Sequence, residues 1–298
     1  MKLFRRRRPR PDPVPLRRVR ELEVVTARLL RRGFAGQYHA AFHGSGIEFS
    51  QVREYQPGDD IRTIDWNVTA RSGIPHVKQF VEERDLSVLL ALDVSGSMSF
   101  GSLDRRKIDL AVELAAVLAF AALQNGDRVG LVSFAESVRN YLPPKRGRTH
   151  VEICVRTAVA SALSPGGSTD LGKLIEYVEH VSVKRSVVIF LSDFLDIDFE
   201  APLRRLNKRH DVVAIDISDP RESRFPSRGI VDLVDAETGR LQRVDLRTNR
   251  VFPSARLRSR QLTDRFRRSG IDMLGLSTAV PYDKSLLRFF RERSPRRR

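Results

Sequence analysis

One cysteine, one tryptophan and three methionines in 298 residues leave little room for sulfur or indole chemistry. Cys154 cannot close an internal disulfide, and its place in an amphipathic pattern predicts a buried, inert thiol rather than a nucleophile. No stretch approaches the roughly 18 consecutive apolar residues of a membrane span. The start, Met1 to Phe4 followed by Arg5 to Arg8, has no apolar run after its charges, so the expectation is a cytoplasmic protein. No G-x-x-x-x-G-K-[ST] nucleotide loop occurs. The six histidines are scattered; only His39 and His43 share i,i+4 spacing, without the glutamate of a zinc-protease motif. Aromatics at 7% are too few to stack bases, and no nucleic-acid reading module is visible, so specific nucleic-acid binding is not expected.

What the chain has in excess is positive charge, +16 in total, and its placement matters more than its size. Residues 1–20 carry +8 and residues 288–298 carry +5, so most of the excess belongs to the two ends. Basic ends of this kind suit an anionic membrane surface, an acidic protein or nonspecific contact with nucleic acid, or they serve solubility alone.

The alternating prolines Pro9, Pro11, Pro13 and Pro15 predict a disordered basic arm over 1–20. Residues 21–85 read as a short amphipathic helix, ended by Gly33, followed by a small β-rich subdomain punctuated by Gly44-Ser45-Gly46, Pro57-Gly58 and Ser72-Gly73. From 86 to 292, short apolar runs alternate with helical patterns. The strands are expected at 87–92, 128–134, 186–191, 212–217 and 271–276, with an antiparallel edge strand at 137–142 stopped by Pro143-Pro144. A hairpin is expected around 235–239, and residues 293–298 form a basic tail. The fold class is α/β, a doubly wound, mainly parallel sheet flanked by helices.

Asp93-Val94-Ser95-Gly96-Ser97 falls where the first of these strands ends, the place where open α/β sheets bind ligands. One carboxylate and two hydroxyls form an all-oxygen set suited to a hard cation. Thr169, in Gly166-Gly167-Ser168-Thr169-Asp170, and Asp193, after the strand 186–191, add oxygens at equivalent strand-end positions. The five residues Asp93, Ser95, Ser97, Thr169 and Asp193 resemble the metal-ion-dependent adhesion site of the von Willebrand factor A family. That resemblance implies Mg2+, or Mn2+ or Ca2+, held by the serines and threonine, with the aspartates acting directly or through water. It also implies a partner carboxylate that completes the shell, and no catalysis. A strand-end aspartate with Mg2+ also describes haloacid-dehalogenase-type phosphotransferases, but those need a second carboxylate two residues on, and Ser95 stands there.

A second resemblance lies in Gly44 to Phe49, Arg53-Glu54-Tyr55, Gly58-Asp59-Asp60-Ile61-Arg62, Ile64-Asp65-Trp66, Thr69-Ala70-Arg71 and Lys78. This segment is similar to the domain-of-unknown-function 58 (DUF58) family. The resemblance implies association with a MoxR-type AAA+ ATPase, the pair acting as a chaperone. Read physically, the charged run from Arg53 to Arg71 is a network of paired charges or, alternatively, a contact surface for the partner.

Overall fold

The computed structural model describes residues 13–42, 48–81, 86–182, 184–195, 199–223, 229–236, 239–245 and 255–293. In chain order the elements are α1 (Pro13–Arg31), α2 (Phe34–Ala41), β1 (Glu48–Glu54), α3 (Trp66–Ser72), β2 (His76–Val81), β3 (Ser87–Asp93), α4 (Lys107–Gln124), β4 (Arg128–Phe134) and β5 (Val138–Lys145). There follow α5 (Arg148–Ala162), α6 (Leu171–Val181), β6 (Val187–Ser192), α7 (Glu200–Arg209), β7 (Asp211–Ser218), the single turn α8 (Pro220–Ser223), β8 (Ile230–Val234), β9 (Leu241–Asp245), α9 (Ala255–Arg268), β10 (Asp272–Ser277) and α10 (Asp283–Arg293). They divide into two compact units, one of residues up to Phe42 together with those from Leu86 onward, the other His43–Asp85.

The larger unit is built on a six-stranded sheet in the order β10-β7-β6-β3-β4-β5, parallel except for β5. Its inner strands are buried on both faces, which explains their unbroken apolar runs. Alternate residues of β3 serve two cores. Val88, Leu90 and Leu92 pack with α4 and α5, and Leu89 and Ala91 pack with α6 and α7. Helix α4 is buried nearly all round, as its Ala-rich sequence allows. Burying one of its leucines contributes about 1.5–3 kcal/mol. The chain leaves β3 toward β4 and leaves β6 toward β7, so adjacent strands β3 and β6 send their connections in opposite directions. The crevice beyond their C-terminal ends is the switch point where such sheets hold ligands.

The structure corrects the expected boundaries in three places. Residues 13–20, assigned to a disordered arm, open α1, with Pro13 and Pro15 in the first turn, where a missing N–H costs no helical bond. Helices α1 and α2 belong with the sheet and not with the β-rich subdomain, because Val19, Leu22 and Leu29 join the α4–α5 core. Phe34, Tyr38 and Phe42 close round Phe290 of α10, with centroids 5.4, 6.1 and 5.4 Å away. Arg293, placed in the basic tail, is buried at the end of α10, bonded to Asp211 and Asp272 and stacked over Phe42. Residues 1–12 and 294–298, the remainder of the basic ends, lie outside the described residues.

Strand β5 runs through Pro143 and Pro144 to Lys145 instead of stopping before them, since an edge strand does not need every N–H in its ladder. The hairpin β8–β9 forms as expected, closed by the bond from Asp235 N to Arg240 O at 2.9 Å. In the smaller unit β1 and β2 pair antiparallel, and the helix α3 between them was not foreseen. Its charged run divides the labour. Arg53 grips Asp59 in a bidentate pair (2.8 and 2.7 Å), whereas Asp60 and Asp65 accept backbone N–H groups as helix caps.

Candidate metal centre

Asp93 is the last residue of β3, fully buried, and both its oxygens are in use. Oδ1 accepts the N–H of Ser95 at 2.9 Å, which folds the loop back on the strand end. Oδ2 accepts the hydroxyl of Ser192, the last residue of β6, at 2.6 Å. Ser192 Oγ in turn accepts the N–H of Phe194, a residue held at φ 48°, in the left-handed region that side chains with a Cβ avoid. The Phe194 ring is locked against Phe199 and Phe266, so packing maintains the strained turn beside Asp193.

The five oxygen-bearing residues reach one end of the sheet by three routes. Ser95 and Ser97 hydroxyls stand 3.1 Å apart in the loop after β3. The loop bearing Thr169 is stitched to it by bonds from Gly96 N to Gly167 O (2.9 Å) and Gly166 N to Val94 O (3.0 Å). Gly167 takes φ 78°, which is why a glycine is needed there. Asp193 follows β6 directly and interacts electrostatically with Asp93. No hydrogen bond joins Thr169 Oγ1 to the other four; it and Asp193 Oδ1 are buried oxygens without a hydrogen-bond partner.

Four participants were not anticipated. Lys107, first residue of α4 and wholly buried, donates to Asp193 Oδ2 at 2.6 Å and to Glu222 of α8. A signal existed: a lysine in the first turn of a helix opposes the helix dipole. Asp216 lies buried in β7 with Oδ1 unpartnered, and a charged residue inside the apolar run Val212 to Ile217 was the visible hint. Ser192 carried no such mark.

Burial, reinforced by Asp193 and opposed by the Ser192 and Ser95 hydrogen bonds, pushes the Asp93 carboxyl up to about 7. Burial likewise pushes Asp216 up to about 7, against the pull of Arg258. For Lys107 desolvation is the largest influence and lowers its pKa, but Asp193 and Glu222 together outweigh it, so the ammonium is held above its ordinary value. Asp93, Asp193 and Asp216 are buried carboxyls at this end of the sheet, where Lys107 pairs with Asp193 and Glu222 and Arg258 acts on Asp216. Carboxyls outnumber cations in this cluster, and a buried surplus of negative charge is costly. Among the described residues no three His, Cys, Asp or Glu side chains gather closely enough to hold a metal ion without hydroxyl ligands. The donor set of hydroxyls and carboxylates, with two oxygens orphaned, fits a hard cation such as Mg2+.

A family model described as "Protein of unknown function DUF58" matches residues 51–262. The chain belongs to the DUF58 family. Among its relatives, the uncharacterized protein Rv1480 of Mycobacterium tuberculosis is 36% identical over 230 residues, 76% of this chain and 73% of that protein. Two solved structures align with about two thirds of the chain at low identity. BatB from Bacteroides thetaiotaomicron has a TM-score of 0.45 at 15% identity, covering 70% of this chain and 99% of BatB. The SpRpn10 VWA domain has a TM-score of 0.39 at 12% identity, covering 68% of this chain and 94% of that domain. The larger unit of this DUF58 protein is a mostly parallel six-stranded sheet between helices, with its one antiparallel strand at the edge.

Proposed function

We propose that the chain is a metal-dependent protein-interaction module that works with a MoxR-type AAA+ ATPase and does no catalysis itself. The observation that carries this reading is the buried Asp93–Asp193 pair with two orphaned oxygens, Thr169 Oγ1 and Asp193 Oδ1, at the switch point of the sheet. Ser95, Ser97 and Thr169 would hold Mg2+, with Asp93 and Asp193 acting directly or through water. The bound ion supplies an open coordination position for a partner's carboxylate. Ser192 and the Ser95 N–H orient Asp93, and Lys107 fixes one oxygen of Asp193 while leaving the other unengaged. Ser95 stands where a haloacid-dehalogenase-type enzyme needs its acid/base carboxylate, which favours binding over phosphoryl transfer.

Mg2+ that binds only the folded state must raise the melting temperature. At ten times Kd the gain is about 1.4 kcal/mol, on the order of 3 °C for a unit of this size. Asp93→Ala is expected to abolish the rise, and EDTA is expected to dissolve a complex with the ATPase. A rise that persists in the variant, or a complex indifferent to EDTA, would sink the metal reading.

No helix among the described residues is long and apolar enough to cross a membrane. We place the chain in the cytoplasm, with its Arg-rich ends available to an anionic lipid surface. Sedimentation with phosphatidylserine vesicles at about 0.05 M salt, lost on deletion of residues 1–10 and at about 0.5 M salt, is the expected result. Binding unaffected by the deletion would refute the assignment to the arm.

A further inference from the structure

The six-stranded sheet ends at β5 and β10, and among the described residues neither outer edge has a further strand. The two edges are built differently. Strand β5 carries Pro143 and Pro144, two breaks in its register with β4, and the exposed charges Arg139 and Lys145. Such features keep an edge from pairing with another chain. Strand β10 has none of them. Asp272 to Ser277 pair with β7 without a break, no proline or basic residue interrupts them, and the one charge, Asp272, is bound to Arg293. Gly275 is exposed at mid-strand. Its φ is outside the left-handed region, and an added Cβ would meet nothing nearer than Asp216 Oδ2 at 4.0 Å, so neither its backbone nor its packing calls for glycine. Glycine inside a strand often marks the close approach of another backbone.

A groove of about 430 Å³ lies along this edge, lined by Arg267 of α9, by Ile271 to Met273 and by Phe289, Glu292 and Arg293 of α10. Helix α9 packs on one face of the sheet through Leu262 and Phe266, and α10 packs on the other through Leu286 and Phe290. A groove that both helices and β10 line, without any residue of β7, is therefore at the outer edge. It follows the start of β10, whereas the candidate metal centre is beyond the C-terminal ends of β3 and β6. Because these strands are parallel, the two places are at opposite ends of the sheet.

Two observations say what the groove takes. Arg293 is 2% exposed, and its Nη1 has no acceptor among the described residues. Asp211 and Asp272 already balance its charge, so the acceptor that suits Nη1 is a neutral one, such as a peptide carbonyl. The second observation is the sign of the charge on either side. Among the described side chains, α9 and α10 expose Arg260, Arg267, Arg268, Lys284, Arg288 and Arg291 against Asp264 and Glu292. A second copy would bring the same excess to its own β10 and be repelled, whereas a strand with acidic ends is attracted.

We propose that the edge of β10 is a docking site for an extended segment of another protein, added as a further strand between α9 and α10. The segment has a β-prone centre and acidic residues at its ends. Main-chain hydrogen bonds to β10 supply the affinity, and the basic side chains of the flanking helices select the charge. The site owes nothing to the metal centre and stands or falls apart from it.

The test uses the full chain and fluorescein-labelled peptides with a Thr-Val-Thr-Val-Thr centre. One has Glu-Glu at each end, one has Lys-Lys, and one repeats the acidic peptide with its centre N-methylated throughout, which keeps every side chain and removes the ladder donors. Anisotropy is expected to show the acidic peptide binding about tenfold or more tightly than either of the others. Hydrogen exchange is expected to show new protection at Asp272–Ser277 and none along β5. Arg267→Glu is expected to weaken binding about fivefold or more at unchanged melting temperature, and Arg156→Glu, exposed on α5, to leave it unaltered. EDTA is expected to change nothing. Equal binding of the N-methylated peptide, protection at another place, release by EDTA, or no binding by any peptide overturns the proposal. So does protection of β10 that grows with protein concentration in the absence of peptide, which would make a second copy the occupant.

Discussion

Lys107→Met is expected to lower the free energy of unfolding by about 3–5 kcal/mol. The size follows from what the substitution leaves behind. Methionine fills the volume of the lysine stem, but Asp193 Oδ2 and Glu222 lose their ammonium inside a region that already contains Asp93 and Asp216. A surface pair such as Arg288–Glu292, one turn apart on α10, contributes only about 0.3–0.5 kcal/mol, because water screens it. In urea the midpoint should fall with an unchanged slope, since the amount of surface exposed on unfolding does not alter. Two features distinguish an uncompensated charge from a simple packing defect. The loss should shrink as pH falls through about 7, where Asp93 and Asp216 take up protons and lessen the surplus charge. It should also be partly relieved in the Lys107→Met, Asp193→Asn double variant, giving a coupling energy that distant sites do not show. A loss under about 1 kcal/mol, or a loss independent of pH, would mean that Lys107 does not carry the charge balance of the site.

The same residue shows where sequence reading ends. The strands were legible because burial on both faces writes an apolar run directly into the chain, and the Asp93, Ser95, Ser97 triplet was legible because its members are neighbours. Lys107 meets Asp193 across 86 positions and Glu222 across 115, and nothing local announces either encounter. The prolines misled in both directions. At 13 and 15 they suggested disorder and instead begin a helix; at 143 and 144 they suggested a stop and instead lie in an edge strand. Both outcomes follow from where a missing N–H is tolerated, which depends on neighbours in space. The grouping of α1 and α2 with the sheet was illegible for a related reason, since the stripe Val19, Leu22, Leu29 and the ring of Phe34, Tyr38 and Phe42 find partners on α4, α5 and α10. Residues 43–85 are set apart in sequence between two stretches that belong together.

Stability measured without divalent ions is expected to decline as pH rises from about 4 to about 7, opposite to the usual carboxylate behaviour. Asp93 and Asp216 are held at about 7 in the folded protein, against roughly 3.9 in an unfolded chain. Between those values the folded state keeps protons that the unfolded state has released, so each step up in pH favours unfolding. The decline should be complete above about pH 8 and amount to about 4 kcal/mol for each carboxyl, at about 1.4 kcal/mol per pKa unit over about three units. Mg2+ reverses the sense, because it binds the ionised carboxylates. Its stabilisation should be largest at pH 8 and fade toward pH 5, where protons compete for the same oxygens. Asp93→Asn separates the two effects. The amide keeps an acceptor for Ser95 N–H and turns its bond with Ser192 round, so the geometry at the end of β3 survives without the charge. At pH 8 without Mg2+ this variant should be more stable than the natural chain, while gaining nothing from the ion. An Asn variant less stable than the natural protein under those conditions would show that Asp93 is not destabilised by its own charge, and the case for a site shaped around an added cation would fall with it.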